Sequence, residues 1–118
     1  MGYGTGESGI KSIPKDKYFE ELSDPVIEAV VTASCNMFEV SEPTIVLLPE
    51  PSSRRWGGQY KHKSQEVLIN RRYMGLLIHE VAHHITSKLY GNVRQNGYSI
   101  HHGWEFKDTL QQLHNLWE

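Results

Sequence analysis

The sequence predicts one α+β domain, because helical and strand-like patterns follow one another along most of its 118 residues. Three segments have apolar residues at helical spacing, and three short runs between the first two have the composition of strands. A chain of this length buries one hydrophobic core, and 38% hydrophobic with 22% charged residues is typical of a globular domain. We therefore expect a single domain over residues 13–118, after a glycine-rich flexible tail over residues 1–12.

The N-terminal helix is expected to begin at Asp24-Pro25, since the carboxylate can cap free amides and proline suits the first helical turn. Cys35, the only cysteine, lies in this helix and is expected to be a buried, inert thiol. A single cysteine excludes an intrachain disulfide and a cysteine-based zinc ribbon. The positions that predict one packing face are Val26, Ile27, Val30, Val31, Ser34, Met37 and Phe38.

A small sheet is predicted next. Residues 44–48 form an apolar, β-branched run before Pro49, which indicates a buried strand. Residues 57–62 and 66–70 are typical of two strands joined by a polar turn, and we expect a hairpin in which 57–62 is the exposed edge.

Two further helices complete the predicted domain. The first spans about residues 71–90, with Asn70 as a candidate cap and Gly91 as its C-terminal stop. The second spans residues 103–117. Its apolar side is predicted to carry Phe106, Leu110, Leu113 and either Leu116 or Trp117.

The middle helix contains the pattern His79-Glu80-Val81-Ala82-His83. At about 100° per residue, positions four apart lie about 40° from each other around the helix, so both imidazoles can reach one ion. Zinc held this way lowers the pKa of a bound water from about 15.7 toward about 7. Glu80, next to the first ligand, is then placed to accept the proton as general base when the water attacks a carbonyl, and to return it to the leaving amine.

A catalytic zinc usually has three protein ligands, so a third must come from elsewhere in the chain. The candidates lie in the segment His101-His102-Gly103-Trp104-Glu105-Phe106, at the start of the last helix. Glu105 follows His102 by three positions, and it is a candidate either to orient that imidazole or to replace it as ligand.

Together these segments resemble the SprT-like zinc metallopeptidases, which include the Spartan proteases of DNA–protein crosslink repair. The family motif, His-Glu-x-x-His followed after a variable loop by His-Gly-x-x-Phe, is matched by 79–83 and 102–106, and the strand-like 67–70 precedes it. The resemblance covers about residues 57–110. It implies His102 as third zinc ligand and a zincin-like minimal metallopeptidase fold with an N-terminal helix, a small three-stranded sheet, an active-site helix and a C-terminal ligand-bearing helix. With no zinc ribbon expected, proteolysis is better supported than a role in crosslink repair.

The expected function is therefore a zinc-dependent metalloprotease acting on protein or peptide substrates. Two alternatives stay open: a zinc hydrolase of a non-peptide substrate, and a catalytically silent zinc-containing binding module. An open cleft beside a free strand edge favours the peptide substrate, whereas a closed pocket favours a small molecule. Imidazole ligands also suit other first-row metals.

The net charge of −2 and pI near 6.4 predict no global positive field for nucleic acid or an anionic membrane. Basic residues do cluster with aromatic ones at 54–56 and 60–63, which indicates either a local nucleic-acid contact or a solvated rim. No apolar run reaches the roughly 18 residues of a membrane span, and the N-terminus lacks a secretory signal. A soluble, cytoplasmic or otherwise intracellular protein is expected.

The other polar aromatic residues have no spacing that selects a role. His84 and His101 are expected to face solvent or to support a ligand, and His62 and His114 to be structural. The candidates for stabilising an oxyanion are Tyr60, Tyr73 and Tyr98, with packing as the alternative for each.

Overall fold

The computed structural model describes residues 9–49, 57–91 and 102–118. It is an α+β fold with four helices and a three-stranded sheet, which confirms the predicted class. No helix within these ranges is long and apolar enough to cross a membrane. In chain order the elements are α1 Lys15–Tyr18, α2 Asp24–Met37, β1 Thr44–Leu47, β2 Gly58–Lys61, β3 Glu66–Ile69, α3 Met74–Tyr90 and α4 Trp104–Trp117.

The sheet has the strand order β1-β3-β2, with β1 parallel and β2 antiparallel to β3. The predicted hairpin of the second and third strands is confirmed, and Val67 and Ile69 of the central strand are buried. The prediction that the first strand is buried is wrong. Its residues are exposed or half-buried, because among the described residues β1 pairs with β3 alone, and an apolar run does not reveal how many neighbours a strand has.

Helix α3 lies at the centre of the fold. From Met74 to Thr86 every residue is buried except His79, which is half-buried. The helix begins at Met74 rather than near 71, and Asn70 does not cap it. Asn70 instead continues the hairpin, since its side-chain Oδ1 accepts a hydrogen bond from the Gly57 N–H at 2.7 Å. Gly91, with φ of 78°, ends the helix as predicted.

Helix α2 begins where the sequence predicts, but Asp24 lies in its first turn after the N-cap residue Ser23, and no side chain caps the helix. Asp24 forms an ion pair with Arg72 instead. Cys35 is buried as expected, and burial raises the pKa of its thiol to about 12. The predicted packing face is too wide, because Val26 and Met37 are exposed.

The C-terminal helix α4 packs against α3, and its residues Phe106, Leu110 and Leu113 are fully buried in the core. Of the two candidates at its end, Trp117 faces the core and donates to Ser34 Oγ, whereas Leu116 is exposed.

The N-terminal segment is bound to α4. Lys11 and Gln111 exchange two hydrogen bonds, and the Ile13 N–H donates to His114 Nδ1 at 3.1 Å. His114 is therefore structural, as predicted, and burial lowers its pKa to about 4. Residues 1–8 of the predicted tail lie outside the described residues.

Candidate metal centre

Three imidazoles converge where α3 meets the start of α4. One ring nitrogen from each of His79, His83 and His102 lies within 4.8 Å of the other two. The ring centroids are 5.1 Å apart for His79 and His83, 5.4 Å for His79 and His102, and 4.9 Å for His83 and His102. These three histidines can form a metal site, and they are the three that the motif and the resemblance select.

The donor set fits zinc in chemistry and in spacing. Two imidazole nitrogens on one tetrahedral zinc, each about 2.0–2.1 Å from the ion, lie about 3.3–3.4 Å apart. The Nε2 atoms of His83 and His102 are 3.2 Å apart. Three neutral imidazoles also suit copper, iron and nickel, so the arrangement specifies a metal site more firmly than the identity of the metal.

Phe106 holds the rings in place. Its ring stacks on His83 at 4.1 Å and on His102 at 4.7 Å between centroids, with interplanar angles of 18° and 17°. It also meets the edge of His79 at 5.1 Å. Because Phe106 is fully buried in the first turn of α4, it locks the start of that helix against α3 and restricts the orientation of both imidazoles.

Glu80 is 6% exposed and lies beneath strand β2. A Cβ at Gly58 would stand 2.8 Å from Glu80 Cγ and 3.1 Å from Glu80 Oε2, so the carboxyl group lies against the strand backbone. Burial raises the pKa of Glu80 to about 7. A cation in the histidine cluster would lower that pKa again, because it favours the ionised carboxylate.

Strand β2 is fixed on α3 by successive contacts along one helical stripe. Gly58 lies against Glu80, Tyr60 bonds to His84, and His62 bonds to Ser87. The strand positions are two apart and the helix positions three or four apart, so one face of the strand follows one face of the helix. This match determines how the strand is placed over the site.

His84 is fully buried, so the part of its prediction that had it facing solvent is wrong. Its Nε2 lies 2.7 Å from the Ser41 carbonyl oxygen, which can only accept, so Nε2 carries the proton. Its bare Nδ1 then accepts from the Tyr60 hydroxyl at 2.9 Å. Burial lowers the pKa of His84, which favours this neutral form.

The tyrosine candidates for an oxyanion stabiliser gain no support among the described residues. Tyr60 is engaged with His84, and Tyr73 packs edge-on against Phe19 at 5.4 Å. Tyr98 lies outside the described residues, as does His101.

The remaining predictions concern Glu105 as an alternative ligand and the two basic clusters. Glu105 is 7% exposed and does not belong to the set of converging donors, whereas His102 does. Of the basic clusters, 54–56 lies outside the described residues, and Lys61 and Lys63 are exposed on the hairpin.

Sequence reasoning missed the roles of Gly58 and Phe106. A glycine within a strand is a known signal of close approach by another group, and Gly58 has that signal. Phe106 was assigned to the packing face and to the family motif, and neither assignment predicts that its ring stacks on His83 and His102.

Comparison with protein-family models, curated proteins and solved structures found no match for this chain.

Proposed function

We propose that this protein is a zinc-dependent metallopeptidase of the SprT-like type, which cleaves peptide bonds in extended protein segments. The observation that carries the proposal is the convergence of three imidazoles from two helices, with the buried carboxyl of Glu80 directly following the first of them. A site that only stabilised the fold would not need a carboxyl group buried beside it.

The roles follow from the residue types. His79, His83 and His102 would hold the ion, and Phe106 would keep two of these rings in position. Zinc in such a site supplies a Lewis acid that makes water nucleophilic near neutral pH. Glu80 accepts a proton at its carboxylate as the water attacks and donates it to the leaving amine nitrogen.

The free edge of β2 supports a peptide substrate. Asn70 N–H donates to Gly57 O, so residues 57 and 70 form a hydrogen-bonded pair. Pairs alternate along an antiparallel ladder, so Gln59 and Lys61 bond to β3, while the backbone groups of Gly58 and Tyr60 point away from it. Among the described residues β2 has no other strand neighbour. An extended chain that paired with Gly58 would lie next to Glu80.

The test is cleavage that depends on the metal. After chelation and dialysis, the full chain should not cleave a fluorescently labelled unfolded protein, and one equivalent of zinc should restore cleavage. Cleavage by the metal-free protein would contradict the proposal. Bound zinc with no cleavage of any unfolded protein would favour the silent binding module, and hydrolysis of small amides alone would favour the non-peptide alternative.

Gly58→Ala is expected to lower kcat by about 10–100-fold, since a displacement near 1 Å at a reacting group has costs of that order. The new Cβ would stand 2.8 Å from Glu80 Cγ and 3.0 Å from the Leu68 carbonyl oxygen, so the carboxyl group must move. Steady-state kinetics on a labelled peptide would measure the change, and zinc content should stay at one per chain.

Gly57→Ala is the matched control, because a Cβ at Gly57 would meet nothing within 4 Å. It should keep kcat within about twofold of the parent, like most surface substitutions. Equal losses in both variants would mean that the strand itself is sensitive to side chains, and the assigned contact with Glu80 would be wrong.

A further inference from the structure

A groove of about 470 Å³ runs between α2 and β1, on strand β1 rather than on the strand over the histidines. Its helical wall is one stripe of α2, formed by Asp24, Ile27, Glu28 and Val31 at positions i, i+3, i+4 and i+7. Its strand wall is formed by Ile45 and Leu47 of β1. The groove therefore follows the strand lengthwise.

The strand wall carries backbone groups that no strand of the described chain uses. Thr44 N–H donates to Gln65 O, and Leu48 N–H donates to Ile69 O, both toward β3. Alternation along a strand then points the N–H and C=O groups of Ile45 and Leu47 away from β3, at the edge of the sheet that these two groove-lining residues form. Among the described residues β3 is the only strand paired with β1. This edge can accept one more strand.

The rim of the groove is acidic. Three of its lining residues, Asp24, Glu28 and Glu42, are exposed carboxylates, and none of the lysines and arginines that the structure describes lines it. Asp24 pairs with Arg72 and Glu42 accepts from Thr32, whereas Glu28 has no ion-pair partner in the described part of the chain. The accessible apolar part of the lining lies on β1, where Ile45 is half-buried and Leu47 is 38% exposed. The surface is therefore complementary to a chain that has both apolar and basic side chains.

We propose that this groove binds an extended basic segment of a partner protein, which adds to the sheet as a fourth strand beside β1. Backbone hydrogen bonds to Ile45 and Leu47 supply the pairing, as in other cases of strand addition. Apolar side chains of the segment pack on Ile45 and Leu47, and its lysines or arginines face Glu28 and Glu42. This binding does not depend on the proposed peptidase activity.

The probe is a blocked, fluorescent decapeptide of alternating valine and lysine, measured by anisotropy against the full chain. We expect this peptide to bind saturably. A peptide of alternating valine and glutamate should bind the parent at least about tenfold more weakly, because the exposed charge pairs are lost. For the same reason the double variant Glu28→Lys/Glu42→Lys should bind the valine–lysine peptide at least about tenfold more weakly. The control variant Asp16→Lys/Asp108→Lys has the same net charge, and both of its sites are exposed and outside the groove. It should bind within about twofold of the parent.

Two measurements separate strand addition from general charge attraction. At saturating peptide, amide hydrogen exchange should slow at Ile45 and Leu47 and stay unchanged at Gly58 and Tyr60. A peptide methylated on the backbone nitrogens of both edges should lose binding. The proposal would be overturned if the peptide did not bind at concentrations up to about 1 mM, or if the methylated peptide bound equally well. It would also be overturned if the peptide slowed amide exchange at Gly58 and Tyr60 instead. Dimerisation of the protein that slowed exchange at Ile45 and Leu47 without peptide would contradict it as well.

Discussion

Glu80→Gln is expected to lower kcat by about 10²–10⁴-fold, the usual contribution of a general base. Glutamine has nearly the same shape and fits the same space beneath β2, but its amide cannot accept the proton. Glu80 is not one of the three converging donors, so zinc should still bind one per chain. Peptide cleavage followed by chromatography gives kcat, and metal analysis of the same sample gives the zinc content.

The stability of this variant separates a chemical effect from a folding effect. Glu80 is 6% exposed, and burial raises its pKa to about 7, so the neutral amide removes a carboxyl that is costly to ionise in the fold. The unfolding temperature of the metal-free variant should therefore equal or exceed that of the metal-free parent. Turnover within about twofold of the parent, with zinc bound, would remove Glu80 from the mechanism.

The histidine pair of the site was predictable because its geometry is local. Once residues 79–83 are helical, the 3.6-residue period alone brings His79 and His83 to one side, and the structure places their ring centroids 5.1 Å apart. His102 is different. Its approach depends on the direction of the chain between α3 and α4, so the sequence left several candidates in 101–106 and only the family resemblance selected one.

The errors in the predicted fold also arise from contacts between distant parts of the chain. The burial of β1 depends on how many strands lie beside it, and the position of His84 depends on where β2 crosses α3. Both are contacts between segments far apart in the sequence, which hydrophobic periodicity does not encode. The start of α3 was misjudged because Asn70, a good capping residue, is used by the hairpin through Gly57.

The stripe of contacts between β2 and α3 connects fold and function. One face of the strand is held by the helix that carries two of the histidines, while the Gly58 and Tyr60 backbone groups are directed away from β3. The strand that would hold a substrate is therefore positioned by the same helix that would hold the metal. The distance between a substrate on β2 and a metal on α3 therefore varies little, and catalysis requires such fixed positions.

His102→Ala is expected to weaken zinc binding by at least about 100-fold, since loss of a group that merely supports a ligand already costs about 10–100-fold. Its Nε2 lies 3.2 Å from that of His83, so its removal opens one side of the cluster. His102 is exposed, and the metal-free variant should therefore unfold within about 1 kcal/mol of the metal-free parent. Competition with a chromophoric chelator would measure the affinity.

Glu105→Gln decides between the two arrangements that the sequence leaves open. If His102 is the ligand, glutamine at 105 still fills the buried position and should weaken zinc binding less than His102→Ala does, by at most about 10–100-fold, because any change acts only through the orientation of a neighbouring group. If Glu105 is the ligand, its substitution should weaken zinc binding as much as His102→Ala does, or more. His62→Ala, on the hairpin and outside the cluster, should leave the affinity unchanged. The stacking of Phe106 on both His83 and His102 favours the first outcome, because it already holds these two rings beside one another, with their centroids 4.9 Å apart.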